Sequence, residues 1–506
     1  MIPGSVRWYW LEIIHERIGF FMTRNGFFSR FLKSVGELHP VRRWATPQGY
    51  REVLAMCLPL IASTTVSSLM LFTDRLFLSH YSVNAIAASL PAGIAWVTIT
   101  SFFLGIASYT SVFVAQYVGA KRTDRAAASL WQGLYFSLVF GLLLSLLYFA
   151  SPLIFSFGNL NPDIVVLEYE YFGPLILMSP LNLLLVVMSS FMAALGRTKV
   201  VMWVSLVGAT INIPLNYMLI FGLSIGETNL IPSIGVLGAA LATVISWVVS
   251  VAIYCFLIFN RQMEKDYGVL TNRRFDRPLF FRLMKYGWPG GLQFFMEIFA
   301  FGFFNFAVSR LAKLELASNN IVFSIEALSY FPIFGVGQTI SIMVGQAIGR
   351  DQPSDGARAT KTGVVICTVY VFLMLLGFLF LPHQLLSLFL TSDLPAGDRA
   401  FILHLGTVIL RFVAAYSIFD GIYLCCFGAI KGSGDVWFPM LAMGFWGIFG
   451  LVLPIMILFA LNAATIYSLW FCMIVYILCL TATGFWRFKS GRWMTMRVIE
   501  PVLNTK

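Results

Sequence analysis

Four carboxylates interrupt long apolar stretches: Asp74 in SLMLFTDRLFL, Glu297 in PGGLQFFMEIFAFGFFNF, Glu326 in IVFSIEALSYFPIFG and Asp420 in YSIFDGIY. An ionised carboxylate at the centre of a bilayer costs about 2.5–3.5 kcal/mol on lenient scales, so each such group calls for a partner or a function. Bases that could neutralise them are scarce: Lys is absent from the apolar interiors, which hold only Arg75, Arg411 and His404. Arg75 adjoins Asp74, but successive helical side chains point in different directions. Glu297 stands eight residues beyond Pro289 with no base one turn away. A carboxyl that gains and loses a proton or Na+ as solvent access changes is what an ion-coupled carrier requires. Tyr416 precedes Asp420 by four residues, so phenol and carboxylate lie on one helix face and can share a bound cation or proton. Glu326 likewise precedes Tyr330 by four and reads either as a further ionisable site or as a hydrogen bonder that stabilises the bundle. Arg411 and His404, seven apart, face alike, and Arg411 reads as a structural counter-ion.

Neutral oxygens gather elsewhere. In TINIPLNY, Asn212 and Asn216 lie one turn apart with Pro214 between them, which frees a backbone carbonyl. Amide and carbonyl oxygens are hard ligands suited to Na+, and the competing reading is amide hydrogen bonding between helices. Thr243 in GAALATVISW is similar, in a small-residue setting that speaks mainly for close helix packing. The 48 Phe, 19 Tyr, 13 Trp and 20 Met can line a cleft for lipophilic or cationic guests, but they also fill any membrane core.

The elements that must position these groups are membrane helices. Of 506 residues, 59% are apolar and 11% charged, with a mean hydropathy of +0.82. Such a chain lacks the polar surface of a soluble enzyme or nucleic-acid binder. Twelve spans are predicted, near 53–79, 92–117, 129–156, 165–191, 199–222, 235–260, 283–309, 318–346, 362–383, 401–428, 436–460 and 464–487. The net charge of +11 is a topology signal. With the N-terminus cytoplasmic, 29 of 34 Lys and Arg fall inside, and outside loops keep only Arg310, Lys313 and Arg399. A multi-pass protein of the cell (inner or plasma) membrane with both termini cytoplasmic follows. Seven Cys form no CxxC pair, so neither a disulfide framework nor a zinc site is indicated.

A shift of 230 aligns Pro59 with Pro289, Gly105 with Gly335, Gln116 with Gln346, Gly119 with Gly349 and Gly133 with Gly363 without a gap. A shift of 236 then aligns Phe191, Ala193, Gly196 and Val200 with Phe427, Ala429, Gly432 and Val436. The expected fold is an all-α polytopic membrane protein, twelve helices in two pseudo-symmetric six-helix bundles related by an axis along the membrane normal. The divisions are a basic, aromatic extension over 1–50 that reads as a membrane-surface helix, an N-lobe over 51–260, a cytoplasmic linker over 261–282, a C-lobe over 283–490 and a tail over 491–506. Two equivalent bundles flanking a cleft suit alternating access, so the architecture points to a transporter and not to an enzyme.

The chain resembles a divergent branch of the multidrug and toxic compound extrusion (MATE) family from about residue 50 to 490. The marks are Pro59 fifteen residues before Asp74, NAIAAS from Asn84, QYVGAKRTDRAA from Gln116, INIPLNY from Ile211, PGGLQFFME from Pro289, GQAIGR from Gly345, and YSIFD leading to IKGSGD. Ser79, Arg75, Ser417, Tyr423 and Ile430-Lys431-Gly432 depart from the usual pattern. The resemblance implies a secondary antiporter that exports cationic or amphiphilic compounds against inward Na+ or H+. It implies an N-lobe cation site of Asp74, Asn212, Asn216 and Thr243, helix bending at Pro59, and a C-lobe site of Glu297, Tyr416 and Asp420. Where Na+ is the ion, Asp74, Glu297 and Asp420 are its expected carboxylate ligands. No cofactor beyond the coupling ion and no nucleic acid is expected; the expected partners are membrane lipids and a small cationic or lipophilic substrate, and the expected state is a monomer. A lipid-linked saccharide flippase would instead want a basic cleft for a pyrophosphate. A polytopic transferase would want His and carboxylates clustered near one interface, where Glu168, Glu170, Asp393 and Asp398 are nearly all that stand.

Overall fold

In hydrocarbon every backbone N–H and C=O must find its partner within the protein, which leaves so apolar a chain helices as its means of crossing. The computed structural model describes residues 44, 46, 48–156, 162–225, 228–390 and 395–500. The surface helix expected in the N-terminal extension and Asp393 lie outside these residues. The first half contains α1 (Tyr50–Tyr81), α2 (Val83–Ser108), α3 (Thr110–Gly119), α4 (Thr123–Ser145), α5 (Leu147–Ser156), α6 (Pro162–Leu177), α7 (Ser179–Ala194), α8 (Thr198–Phe221) and α9 (Gly235–Ile258). After a short α10 (Arg261–Tyr267) the second half contains α11 (Arg277–Ser309), α12 (Lys313–Gly349), α13 (Pro353–Phe380), α14 (Pro382–Ser387), α15 (Ala396–Ser433), α16 (Trp437–Trp446), α17 (Leu453–Ala460) and α18 (Ile466–Lys489).

Among the described residues eleven helical stretches are long and apolar enough to span a membrane, and the pair α6 and α7, bent by 50°, makes up to twelve. The bend falls at Met178, just before Pro180, whose ring nitrogen cannot donate to the preceding turn. A π-helical turn, Gly447–Val452, joins α16 to α17 within one span. Several helices outrun the apolar stretches: α2 begins at Val83, where the sequence placed a start at 92, and α13 begins at Pro353 instead of 362. Hydropathy marks the thickness of hydrocarbon, whereas the hydrogen-bonded end is set by caps such as Ser82, whose hydroxyl accepts from the Ala85 N–H at 3.0 Å. Leu223–Ile225 and Thr228–Ile231 add a small antiparallel hairpin between α8 and α9.

Two apolar cores form. One draws mainly on α1 to α9, the other on α11 to α18. The start of α1 crosses over, for Val53 and Cys57 are buried in the second core. The start of α11 does the reverse, with Leu279 and Leu283 in the first. Val53 and Leu283 are equivalent under the 230-residue shift, so the exchange is reciprocal.

The lobes meet through glycines at the end of the bundle that carries the basic loops, here the basic end. A Cβ on Gly105 of α2 would lie 2.6 Å from the Gly291 Cα of α11. One on Gly119 of α3 would lie 2.2 Å from the Gln346 oxygen of α12, and one on Gly349 would lie 2.0 Å from the Gln116 oxygen. Polar bonds reinforce the seam: Gln116 Nε2 donates to the Gly432 and Ser433 carbonyls at 3.0 and 3.2 Å, and Gln346 Nε2 donates to the Ala194 carbonyl at 2.9 Å. Because the obstructing atoms are backbone, Gly349→Val must force the seam apart. The expected cost is about 1–3 kcal/mol, read as a lowered thermal midpoint in detergent together with faster thiol labelling of a reporter cysteine placed at Ala115.

Candidate functional site

The first site is assembled by α1, α8 and α9. Asp74, 4% exposed, sits two turns before the end of α1. Asn216 Nδ2 donates to its Oδ1, and the Thr243 hydroxyl lies 3.4 Å from its Oδ2 and 3.2 Å from the Ala239 carbonyl. Both polar atoms of the Asn212 side chain, and Asn216 Oδ1, are buried without a hydrogen-bond partner among the described residues. Pro214 between them removes one backbone donor from α8 and lets the two amides project along one face. The structure thus brings together Asp74, Asn216 and Thr243 and sets the orphaned Asn212 amide one turn from Asn216. Carboxylate, amide and hydroxyl oxygens form a hard donor set that fits Na+ or a proton carried with water. Tyr171 of α6, which sequence reasoning did not select, is buried within electrostatic reach of Asp74. Its only sequence signal was the mixed run EYEYF. Arg75 is exposed and makes no ion pair among the described residues.

The second site joins α11, α12 and α15. Tyr330 donates from its hydroxyl to Glu297 Oε1 at 2.8 Å, and Tyr416 donates to Glu326 Oε1. Glu326 Oε2 is buried and unpartnered among the described residues. Asp420 is buried with no hydrogen bond or ion pair among the described residues, and Glu297 and Glu326 both lie within electrostatic reach of it. Two sequence pairings are therefore corrected. Tyr416 does not turn back to Asp420, and Glu326 takes its phenol from α15 and not from Tyr330. A phenol hydroxyl projects far from its own backbone, so it reaches the neighbouring helix in preference to a short carboxylate one turn along. Glu326, read from the sequence as one of two possibilities, stands inside the cluster. The Tyr416 ring stacks on Trp470 with centroids 6.3 Å apart, and Trp470 Nε1 donates to Asn319 Oδ1 at 3.1 Å. These contacts fix the phenol from behind.

Arg411 is exposed and pairs with no acid among the described residues, against its reading as a counter-ion. Nine residues separate it from Asp420, two and a half turns, which puts the two on opposite faces of α15. Lys431 is also corrected. The sequence counted it as a loop charge, but α15 continues to Ser433, and the Lys431 ammonium sits half-buried 6.0 Å above the Tyr109 ring of the other lobe. Tyr109 in turn donates to the Lys431 carbonyl at 3.2 Å. Among the described residues no three His, Cys, Asp or Glu side chains converge as a metal cage. Asp74 lies in one lobe and Glu297 with Asp420 in the other, so any Na+ would take carboxylates in two separate sites and complete its shell with neutral oxygens.

Orphaned buried amides destabilise the folded state by about 1–3 kcal/mol each. Asn212→Leu, close in size and without polar atoms, is expected to raise the thermal midpoint of the ion-free protein, measured by unfolding in detergent.

The MatE family model matches residues 59–218 and 289–456, which contain the carboxylates of both sites. A probable multidrug resistance protein NorM of Burkholderia pseudomallei (strain K96243) is 30% identical over 402 residues, covering 77% of this chain and 82% of the relative. Another from Rhodopseudomonas palustris (strain ATCC BAA-98 / CGA009) is 26% identical over 419 residues, covering 82% and 86%. Two solved structures share the fold at 18% identity, each covering 89% of this chain and 97% of the other. One is described as the outward-facing conformation of a multidrug resistance MATE family transporter of the MOP superfamily (TM-score 0.79). The other, from Pyrococcus furiosus Vc1 (DSM3638), is a MOP superfamily transporter whose reversed pocket polarity suggests a different function (TM-score 0.78). With a family match over more than half its length, the chain belongs to the MatE family and is a multi-pass membrane transporter.

Proposed function

We propose that the protein is a multidrug exporter of the cell (inner or plasma) membrane, with both termini cytoplasmic. It expels cationic or amphiphilic small molecules in exchange for inward Na+ or H+ by alternating access. The observation that carries this reading is the set of buried carboxylates, Asp74, Glu297, Glu326 and Asp420, none of which makes a salt bridge among the described residues. Neutral phenol, amide and hydroxyl donors hold Asp74, Glu297 and Glu326, and Asp420 has no hydrogen-bond partner among the described residues, so their net charge is free to change when an ion or a cation arrives.

Ion binding at the carboxylates and substrate binding in the cleft favour opposite-facing states or exclude each other. At about 100 mV and one pH unit, each proton supplies roughly 3.7 kcal/mol, enough for a ratio of about 500 for a neutral guest at one-to-one exchange; a monovalent cation carried outward cancels the potential term and leaves about tenfold per proton. Acidic interiors support a cationic guest over the pyrophosphate of a flippase substrate, which would want several bases where the seam offers a half-buried Lys431.

Asp74→Asn and Glu297→Gln are expected to reduce gradient-driven efflux of a cationic dye from proteoliposomes on the order of 5- to 150-fold while the protein stays folded. Imposing Na+ and pH gradients separately identifies the ion. Wild-type efflux by both variants would overturn the assignment.

A further inference from the structure

The eleven residues after α18, 490–500, behave unlike a loose tail. Gly491, at φ +70°, reverses the chain, and a 3-10 turn, Arg492–Thr495, delivers Trp493 fully buried into the second core. There the indole stacks on Phe488 with centroids 5.3 Å apart, and its Nε1 donates to the Phe488 carbonyl at 2.9 Å. Met496 is extended, and the chain then bends at Val498 and Ile499 as it crosses the seam. Arg497 pairs with Asp351, in the turn after α12, at 2.6 Å. The Val498 N–H donates to Gln116 Oε1 at 2.9 Å, and Val498 and Ile499 are buried in the first core. The Glu500 carboxylate then accepts from Tyr117 at 2.8 Å and pairs with Arg282, Arg125 and Arg122 at 2.5, 3.1 and 3.4 Å. Eight residues therefore anchor in both lobes.

Two details tie this segment to the gate. Gln116 uses its amide nitrogen to grip the Gly432 and Ser433 carbonyls across the seam and its amide oxygen to hold Val498. Gly434, at φ +103°, lies where a Cβ would come within 2.7 Å of Val498 Cγ1, so the turn after α15 is shaped around the tail. Trp493 is shut into one lobe and cannot follow the other. Any separation of the lobes at the basic end must first pull Val498, Ile499 and Glu500 out of their sites.

We propose that residues 496–500 are a latch that holds the basic-end gate closed and restrains the transporter until it detaches from the first lobe. Partial burial works to raise the Glu500 pKa, but hydrogen bonds from backbone, Arg282 and Tyr117, with the Arg282 charge, hold the carboxyl down at about 2. It therefore stays ionised at ordinary pH, which leaves ionic strength as the lever. The arginines are 25–31% exposed, and their pairing weakens as the screening length shrinks to about 3 Å in 1 M salt.

The latch is tested by spin-label distances across the gate in the full chain, between Asp124→Cys and Ser354→Cys, with Cys255→Ser and Cys479→Ser removing the half-buried native thiols. Glu500→Arg and Val498→Asp are each expected to raise the long-distance population on the order of tenfold. The combination of Arg282→Glu with Glu500→Arg should return it toward the starting distribution, which mere loss of packing would not do. The wild-type sequence carrying the labels, taken from 0.05 to 1 M KCl, should show the same lengthening, and this arm requires no destabilised variant. Unchanged distances in the variants and in salt would overturn the latch. The readout is independent of coupling, so absent ion-driven efflux would count against the transport reading alone.

Discussion

A carboxylate in a low-dielectric interior must be matched by a cation, held by donors good enough to replace water, or neutralised by an ion or proton it takes up, and this molecule uses different solutions in different places. Asp435 is neutralised by Arg487 at 2.7 Å, a closed, buried pair whose charge is fixed. Asp74, Glu297 and Glu326 are held by neutral donors, and Asp420 by none among the described residues. An arginine beside any of these would settle its charge permanently. Asn216, Thr243, Tyr330 and Tyr416 orient the carboxylates without paying off the charge, so each site remains incomplete until a small cation or a proton arrives. The orphaned Asn212 amide and Glu326 Oε2 mark the same incompleteness from the side of the ligands.

The chemistry is asymmetric although the frame is symmetric. The 230-residue shift carries Gln116 and Gly119 onto Gln346 and Gly349, the residues that interlock at the basic end, yet it carries Asp74 onto Phe304, Glu326 onto Trp96 and Glu297 back onto Ser67. Duplication supplied two bundles and the glycine contacts by which their backbones approach. The ionisable groups were placed independently in each. Close backbone contact at the seam also makes closure nearly all-or-none, because a carbonyl oxygen seated where a Cβ would fall has little room to slide.

Membrane helices, their number within the bent-pair ambiguity and the twofold repeat were all legible in the sequence, since hydropathy, Pro, Gly and Gln positions report local and periodic constraints. Asp74, Asn216 and Thr243, and Glu297, Tyr416 and Asp420, were picked out as candidates in the sequence, while Glu326 was left between two readings and Tyr330 was not chosen as a site residue. Partner identity was not legible. Tyr416 and Asp420 share a face by spacing, yet the phenol bonds Glu326 on another helix. Arg411 shares the span of Asp420 and points away from it. The tail from Trp493 to Glu500 left no signal, being short, aperiodic and far in sequence from Gln116 and the arginines it meets.

Spacing along one helix fixes which side chains share a face, and the cost of burying charge fixes which of them demand explanation. Both are properties of the chain read in order. Which helix stands opposite each face depends on how the glycine contacts and the two cores set neighbouring axes together. Only the packed molecule could therefore decide that the phenols are exchanged between helices, that Lys431 lies against the other lobe, and that Trp493 to Glu500 are shared between both halves.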